Sequence, residues 1–177
     1  MSLLTTPNLE LRPCVPKDRN DFIDLERDPE VMRFLHGGAV DHDTVDPEKV
    51  TFLMPRGIEP EVWTASLIDT GEFVGWFCLF VENGGIAELG YRLRRDAWGK
   101  GYASEGASAL VEWGFKNAGV DRIVACTMAT NTGSRRVMEK IGMKYIRTVP
   151  IEAPNFSEAD DGEVWYEVRR SQCLDGN

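Results

Sequence analysis

The stretch that most limits what this chain can fold into is Tyr91-Arg92-Leu93-Arg94-Arg95-Asp96-Ala97-Trp98-Gly99-Lys100-Gly101-Tyr102-Ala103-Ser104-Glu105. Its start reads as a strand, its end as a helix, and a glycine-spaced turn joins them. A strand entering a helix this way leaves several backbone N–H groups pointing forward without intrahelical acceptors, and such groups bind anions. Gly99 and Gly101 lack Cβ, so both accept left-handed backbone and let a phosphate approach the main chain. No Ser, Thr, Asp or Asn stands immediately before the helix, so the usual side-chain cap is missing where a ligand would supply one. A tight strand-to-helix connection is the alternative reading of the same residues. Two nucleotide signatures are excluded. No Gly-x-x-x-x-Gly-Lys-Ser/Thr run exists, and position 104 is Ser where Gly-x-Gly-x-x-Gly needs its third glycine.

Around this turn the hydrophobic pattern sets the order of elements. Glu61–Ile68 and Glu72–Val81 are rich in β-branched and aromatic residues and are joined by Asp69-Thr70-Gly71, and Asn83-Gly84-Gly85 joins the second to a third strand, Ile86–Leu93. They predict an antiparallel meander whose last strand delivers the chain to the turn. Ala103, Ala107, Leu110, Val111, Gly114 and Ala118 then recur at helical spacing, predicting a helix over 101–117 that Gly119 ends. A strand at 120–128 follows, then a helix from Asn131 closed by Gly142, and strands at 143–149 and 163–169. Before the meander lie a strand at 8–12, a helix over 16–27 opened by Pro16, and a short helix capped by Asp28. That short helix points Val31, Met32, Phe34 and Leu35 inward and stops at His36-Gly37-Gly38. Residues 39–60 form an acidic, irregular loop with a short helix at 46–54, and 151–162 form a second acidic loop. The whole reads as one domain over 1–177, with 171–177 a frayed tail.

Charge and cysteine usage narrow the function. A formal net charge of −9 argues against nucleic-acid binding and suits a cationic substrate. Cys14, Cys78, Cys126 and Cys173 are scattered, and His36 and His42 are the two histidines, so a metal site has little to draw on. His36 reads as a helix-terminal residue, because no Ser or Cys nucleophile motif accompanies it. No signal peptide and no apolar run near ~18 residues is present, which predicts a cytoplasmic protein with no membrane partner.

Four stretches resemble the GNAT superfamily of acyl-CoA-dependent N-acyltransferases, in its RimJ/RimL-like branch. They are Leu9-Glu10-Leu11-Arg12-Pro13 at the start, Ala87 to Leu93 as the family's fourth strand, Trp98 to Glu105 as its pyrophosphate loop, and Asn131 to Met143 as the helix beside the pantetheine arm. The resemblance implies an α+β fold with a mixed, mostly antiparallel central sheet flanked by helices. It implies acetyl-CoA as co-substrate and a primary amine as acceptor, either a protein N-terminal α-amino group or a small-molecule amine, with no metal. The diphosphate would rest on Trp98, Gly99, Lys100, Gly101, Tyr102 and Ala103, with Arg94, Arg95 and Lys100 as cations, although surface solvation accounts for those charges equally well. The pantetheine arm would lie along the fourth strand near Tyr91 and Leu93 as an added strand. Two positions depart from the family: Asp96 stands where many members have Gln or Arg, and Met138 stands where many keep a general-acid Tyr.

Acyl transfer needs a base, because a lysine-like amine with pKa ~10.4 is protonated at neutral pH. It also needs a donor for the oxyanion, a role for a backbone N–H of the fourth strand, and a proton for the departing thiolate. Glu88 is the candidate base, directly or through water. Its alternative is a solvent-facing Glu satisfied by a nearby Arg. Ser134 is the candidate proton donor that the resemblance implies, its alternative being a first-turn serine bonded to backbone. Asn131 is a cofactor-contacting amide, a helix cap, or both. Trp63, Trp76, Phe77, Phe80 and Trp165 read as core and cleft wall. Transfer of another acyl group such as succinyl, and a non-catalytic acyl-CoA-binding module, are the competing functions. A homodimer is compatible with the sequence.

Overall fold

The computed structural model describes residues 3–35, 38–39, 57–82, 84–151 and 162–174. His36, the expected helix at 46–54 and most of both acidic loops lie outside them. Among the described residues eight strands form one sheet: β1 (Leu4–Thr5), β2 (Leu9–Pro13), β3 (Val62–Leu67), β4 (Phe73–Glu82), β5 (Ile86–Leu93), β6 (Arg122–Met128), β7 (Lys144–Val149) and β8 (Glu163–Arg169). Their spatial order is β1-β2-β3-β4-β5-β6-β8-β7. Every neighbouring pair is antiparallel except β5 and β6, which are parallel. A parallel pair needs a crossover, and α3 (Tyr102–Asn117) supplies it. The remaining helices are α1 (Arg19–Arg27), α2 (Pro29–Met32), α4 (Thr132–Lys140) and α5 (Arg170–Leu174).

The period-two burial of β5 separates two faces. Ala87 and Leu89 join the main core, with Leu110, Val111 and Phe115 of α3 and Met138 of α4. Gly106 lets α3 sit close to β4: a Cβ there would fall 2.3 Å from the Phe77 ring. On the other face Phe22 and Leu25 of α1 pack on Val62, Trp76 and Cys78. The same face carries a row of register partners across four strands, Arg12, Thr64, Trp76 and Arg92. Two carboxylates at the ends of α1 fasten the helix to that row. Asp18 accepts from both Arg12 nitrogens at 2.7 and 2.6 Å and from the Thr64 hydroxyl at 2.7 Å. Glu26 accepts from Arg92 at 2.8 Å, and the Arg92 guanidinium lies over Trp76. Burial pushes the Glu26 carboxyl up despite that pairing. Buried pairs of this kind orient a helix more than they stabilise it.

Several details differ from the sequence reading. Residues 16–18 form a 3-10 turn, and α1 proper begins at Arg19. Asp28 caps α2 as expected, its side chain accepting from the Glu30 N–H, but α2 ends at Met32, so Phe34 and Leu35 lie beyond it. The two-residue β1 went unforeseen, since so short a pairing leaves no periodic signal. The chain past Arg169 turns into α5 through residue 174 rather than fraying there. Strand β7 is exposed at all six positions because it is the sheet's outer edge, paired to β8 alone.

Candidate active site

The sheet consists of two blocks joined at three rungs. β5 and β6 pair at Ile86–Arg122, Ala87–Ile123 and Glu88–Val124, and no further. β5 stays with β4 along its whole length, and β6 stays with β8. From Leu89 to Leu93 the edge of β5 that faces β6 therefore has no strand partner, which is the condition for an extended ligand to add itself as a strand. Tyr91 and Leu93 both lie on this open segment. Glu88 stands at its closed end.

At the other end the chain makes a 3-10 turn over Arg95–Ala97 and enters α3 through the glycine turn. Gly99 has φ 73° and Gly101 φ 87°, as their sequence positions required, and the space where their side chains would stand is open. Gly101 is the N-cap residue and α3 has no side-chain cap. The first main-chain bond into α3 is donated by Glu105 to Gly101. The N–H groups from Gly99 through Ser104 consequently have no acceptor among the described residues, and they sit at the positive end of a 16-residue helix. Six donors without acceptors, gathered on one exposed turn at a helix N-terminus, suit an anion such as a diphosphate. Trp98 fixes the turn to the strand, its indole donating to the Leu93 carbonyl at 2.9 Å while the residue stays partly exposed to solvent. Glu105 ties the first turn of α3 to the N-terminal segment, accepting from the Asn8 main chain at 2.7 Å and the Asn8 amide at 2.9 Å.

The three cations of the turn are placed differently from one another. Arg94 is held by Glu72 at 3.0 Å and by Asp96 at 2.5 Å. Arg95 lies 3.5 Å from Asp28. Lys100 is exposed between the two glycines and makes no ion pair among the described residues. The departure at position 96 is thus occupied in holding Arg94.

Glu88 is half-buried beside Phe80, and no arginine satisfies it among the described residues. Its contact is the Cys126 thiol, whose sulfur lies 3.9 Å from Oε1. Burial pushes the Glu88 carboxyl up, the negative charges of Glu82 and Glu163 add to the shift, and the thiol opposes it weakly. Cys126 is itself pushed far up by burial and by Glu163 and Glu88, which keeps it a thiol. This neighbourhood of Cys126 and Glu163 was not legible in the sequence. Alternation in β6 and β8 puts both on the Glu88 face, but only once the parallel β5–β6 pairing is known.

Asn131 caps α4, its Oδ1 accepting from the Ser134 N–H at 3.2 Å and its amide donating to Thr127 at 3.0 Å. Both ends of the side chain are engaged. The Ser134 hydroxyl is not folded back on the backbone. It lies 2.9 Å from the hydroxyl of Tyr91, a pairing no local sequence signal announced. Met138 is buried in the core. Among the described residues no group of three His, Cys, Asp or Glu side chains is placed to hold a metal.

This combination of fold and site defines a class. The crystal structure of a GNAT-family acetyltransferase from Bacillus anthracis superposes with a TM-score of 0.78 at 25% identity, covering 95% of this chain and 98% of that one. A spermidine N-acetyltransferase from Vibrio cholerae, solved with CoA and spermine, shares the fold at 14% identity, with a TM-score of 0.72 over 94% of this chain and 98% of that one. In sequence, the acetyltransferase (GNAT) domain profile matches residues 8–144. A relative from Aspergillus fumigatus, FsC-acetyl coenzyme A-N(2)-transacetylase, is 32% identical over 97% of this chain and 77% of its own length. The chain belongs to the GNAT acetyltransferase family and is an N-acetyltransferase with acetyl-CoA as its co-substrate.

Proposed function

We propose that this enzyme moves the acetyl group of acetyl-CoA to a primary amine by direct attack within a ternary complex, in the manner of the RimJ/RimL-like branch. The observation that carries the reading is the run of six unpaired N–H groups from Gly99 to Ser104, set at one end of a strand edge whose other end is Glu88. The turn holds the diphosphate, with Lys100 the cation most available to it. Trp98 and the residues Gly99 to Ala103 line that contact, and Arg94 and Arg95 reach it by exchanging their carboxylate partners for phosphate. The open edge at Tyr91 and Leu93 aligns the pantetheine arm, and the Asn131 end of α4 flanks it.

Glu88 takes the proton of the incoming ammonium, directly or through water, and its raised pKa makes it the stronger base for that step. The amine nitrogen forms its bond to the carbonyl carbon and sheds to water the extra proton this leaves on it, while a β5 N–H faces the oxyanion that collapses back to the carbonyl. The C–S bond breaks with its electron pair on sulfur. Ser134 donates its hydroxyl hydrogen to that sulfur, and solvent replaces it.

The acceptor is a small cationic amine in preference to a protein N-terminus. Three features support this: the carboxylates of Glu82, Glu88 and Glu163 around one site, the amine-directed name of the Aspergillus relative, and the spermidine acceptor named for the Vibrio structure. A mass-shift screen of polyamines, amino acids, drug-like amines and peptides with free N-termini tests it. Acetylated small amines, lost in Glu88→Gln, are the expected result. Coenzyme A binding with no turnover on any amine would leave a non-catalytic module instead.

A further inference from the structure

Tyr91 and Ser134 are 43 residues apart in sequence, on β5 and in the first turn of α4, yet their hydroxyls meet at 2.9 Å. The Tyr91 hydroxyl is also 3.3 Å from the Ser134 carbonyl. A phenol has one hydrogen to give. If it goes to the carbonyl, the serine must turn its own hydrogen to the phenol oxygen, and that hydrogen is used up. If it goes to Oγ, which is the shorter contact, the serine hydrogen stays available. The cap at Asn131 fixes the Ser134 N–H but leaves the side-chain torsion free, and a first-turn serine without another partner folds back on the backbone.

We propose that Tyr91 is a positioning residue for acyl transfer: its hydroxyl donates to Ser134 Oγ, fixes that side chain at the mouth of the β5–β6 opening, and leaves the serine hydrogen for the departing sulfur. This rests on the reading of Ser134 given above. A donor into Oγ also polarises the serine O–H, since linked hydrogen bonds strengthen one another. The ring is well held, opposite Phe77 in the β4–β5 register with the two centroids 5.9 Å apart. Burial pushes the Tyr91 phenol up to about 12, so it remains a donor across the working pH range.

The test measures thiol release from acetyl-CoA with hydroxylamine as the acceptor probe, which needs little recognition, in the wild type, Tyr91→Phe, Ser134→Ala and the double variant. Tyr91→Phe should lower kcat about tenfold, the effect of one orienting hydrogen bond, with KM for acetyl-CoA within about twofold of wild type. Ser134→Ala should lower kcat at least as much, and adding Tyr91→Phe to it should change nothing further. If the two losses multiply, Tyr91 acts through packing and the proposal falls while Ser134 keeps its role. The proposal falls equally if Ser134→Ala lowers kcat and Tyr91→Phe does not. If Ser134→Ala leaves kcat unchanged, both readings fall together.

Discussion

Helix α3 carries the glycine turn at its head, and its height above the sheet is set at Gly106. A Cβ added there would meet Phe77 Cζ at 2.3 Å, Cε2 at 2.7 Å and Cε1 at 2.8 Å. Phe77 is fully buried and cannot swing away. Gly114, two turns later, meets a different neighbour, the Leu79 Cδ2 methyl at 2.5 Å. Leu79 is as buried as Phe77, but a single terminal methyl shifts by a small torsion where a rigid ring met at three atoms does not. Overpacking a rigid neighbour costs about 1–3 kcal/mol, and alanine's better helix propensity returns about 1 kcal/mol. Three ring atoms closer than 3 Å put Gly106→Ala in the upper half of that cost, about 2–3 kcal/mol, so the net loss should be about 1–2 kcal/mol, a fall of roughly 2–8 °C in a chain of this size. Gly114→Ala should fall about 1 kcal/mol short of that or be neutral. Lifting the helix start also moves the turn, so KM for acetyl-CoA should rise in Gly106→Ala more than in Gly114→Ala. Thermal denaturation and acetyl-CoA titration of both variants measure this. A Gly106→Ala protein as stable as wild type, or less affected than Gly114→Ala, would refute the close-packing argument.

Glu88→Gln should reduce kcat by about 10²–10³ while acetyl-CoA binding is retained, since a positioned base contributes that order of rate. In the wild type, kcat/KM should fall as pH drops through a Glu88 pKa above the ordinary carboxylate range, and this limb should vanish in the variant. The same raised pKa means that the folded state favours the protonated carboxyl, so the ionised form destabilises the fold as pH rises through it. Glu88→Gln should accordingly raise the melting temperature at pH 8, a gain that shrinks on acidification. Arg92→Met leaves the buried Glu26 carboxyl without its guanidinium and should cost about 3–5 kcal/mol in urea denaturation. Asp28→Ala removes the cap of α2 and should cost about 1 kcal/mol by the same measurement.

Much of the fold was legible because its signals are local. β5 and β8 occupy the spans expected from the hairpin turn at 83–85 and from alternation, 86–93 and 163–169, and α3 departs by one residue from its expected start. The turn was legible for the same reason: two glycines and a missing cap are properties of adjacent residues. What stayed hidden depends on pairing across the chain. Nothing near Ser134 points to Tyr91, and nothing near Glu88 points to Cys126 or Glu163. Arg94 and Arg95 read as free cations until β4 and α2 brought Glu72 and Asp28 beside them. The parallel contact of three rungs, which opens the strand edge, follows from the α3 crossover and leaves no mark in either strand's own residues.

In the proposed complex, bare main-chain amides at the head of α3 hold the diphosphate. Titrating coenzyme A into ¹⁵N-labelled protein reads those amides one by one. The signals of Gly99, Lys100, Gly101, Tyr102, Ala103 and Ser104 should move together and saturate at one affinity, ahead of any change near α1. Saturable coenzyme A binding that leaves those six unmoved would contradict the account.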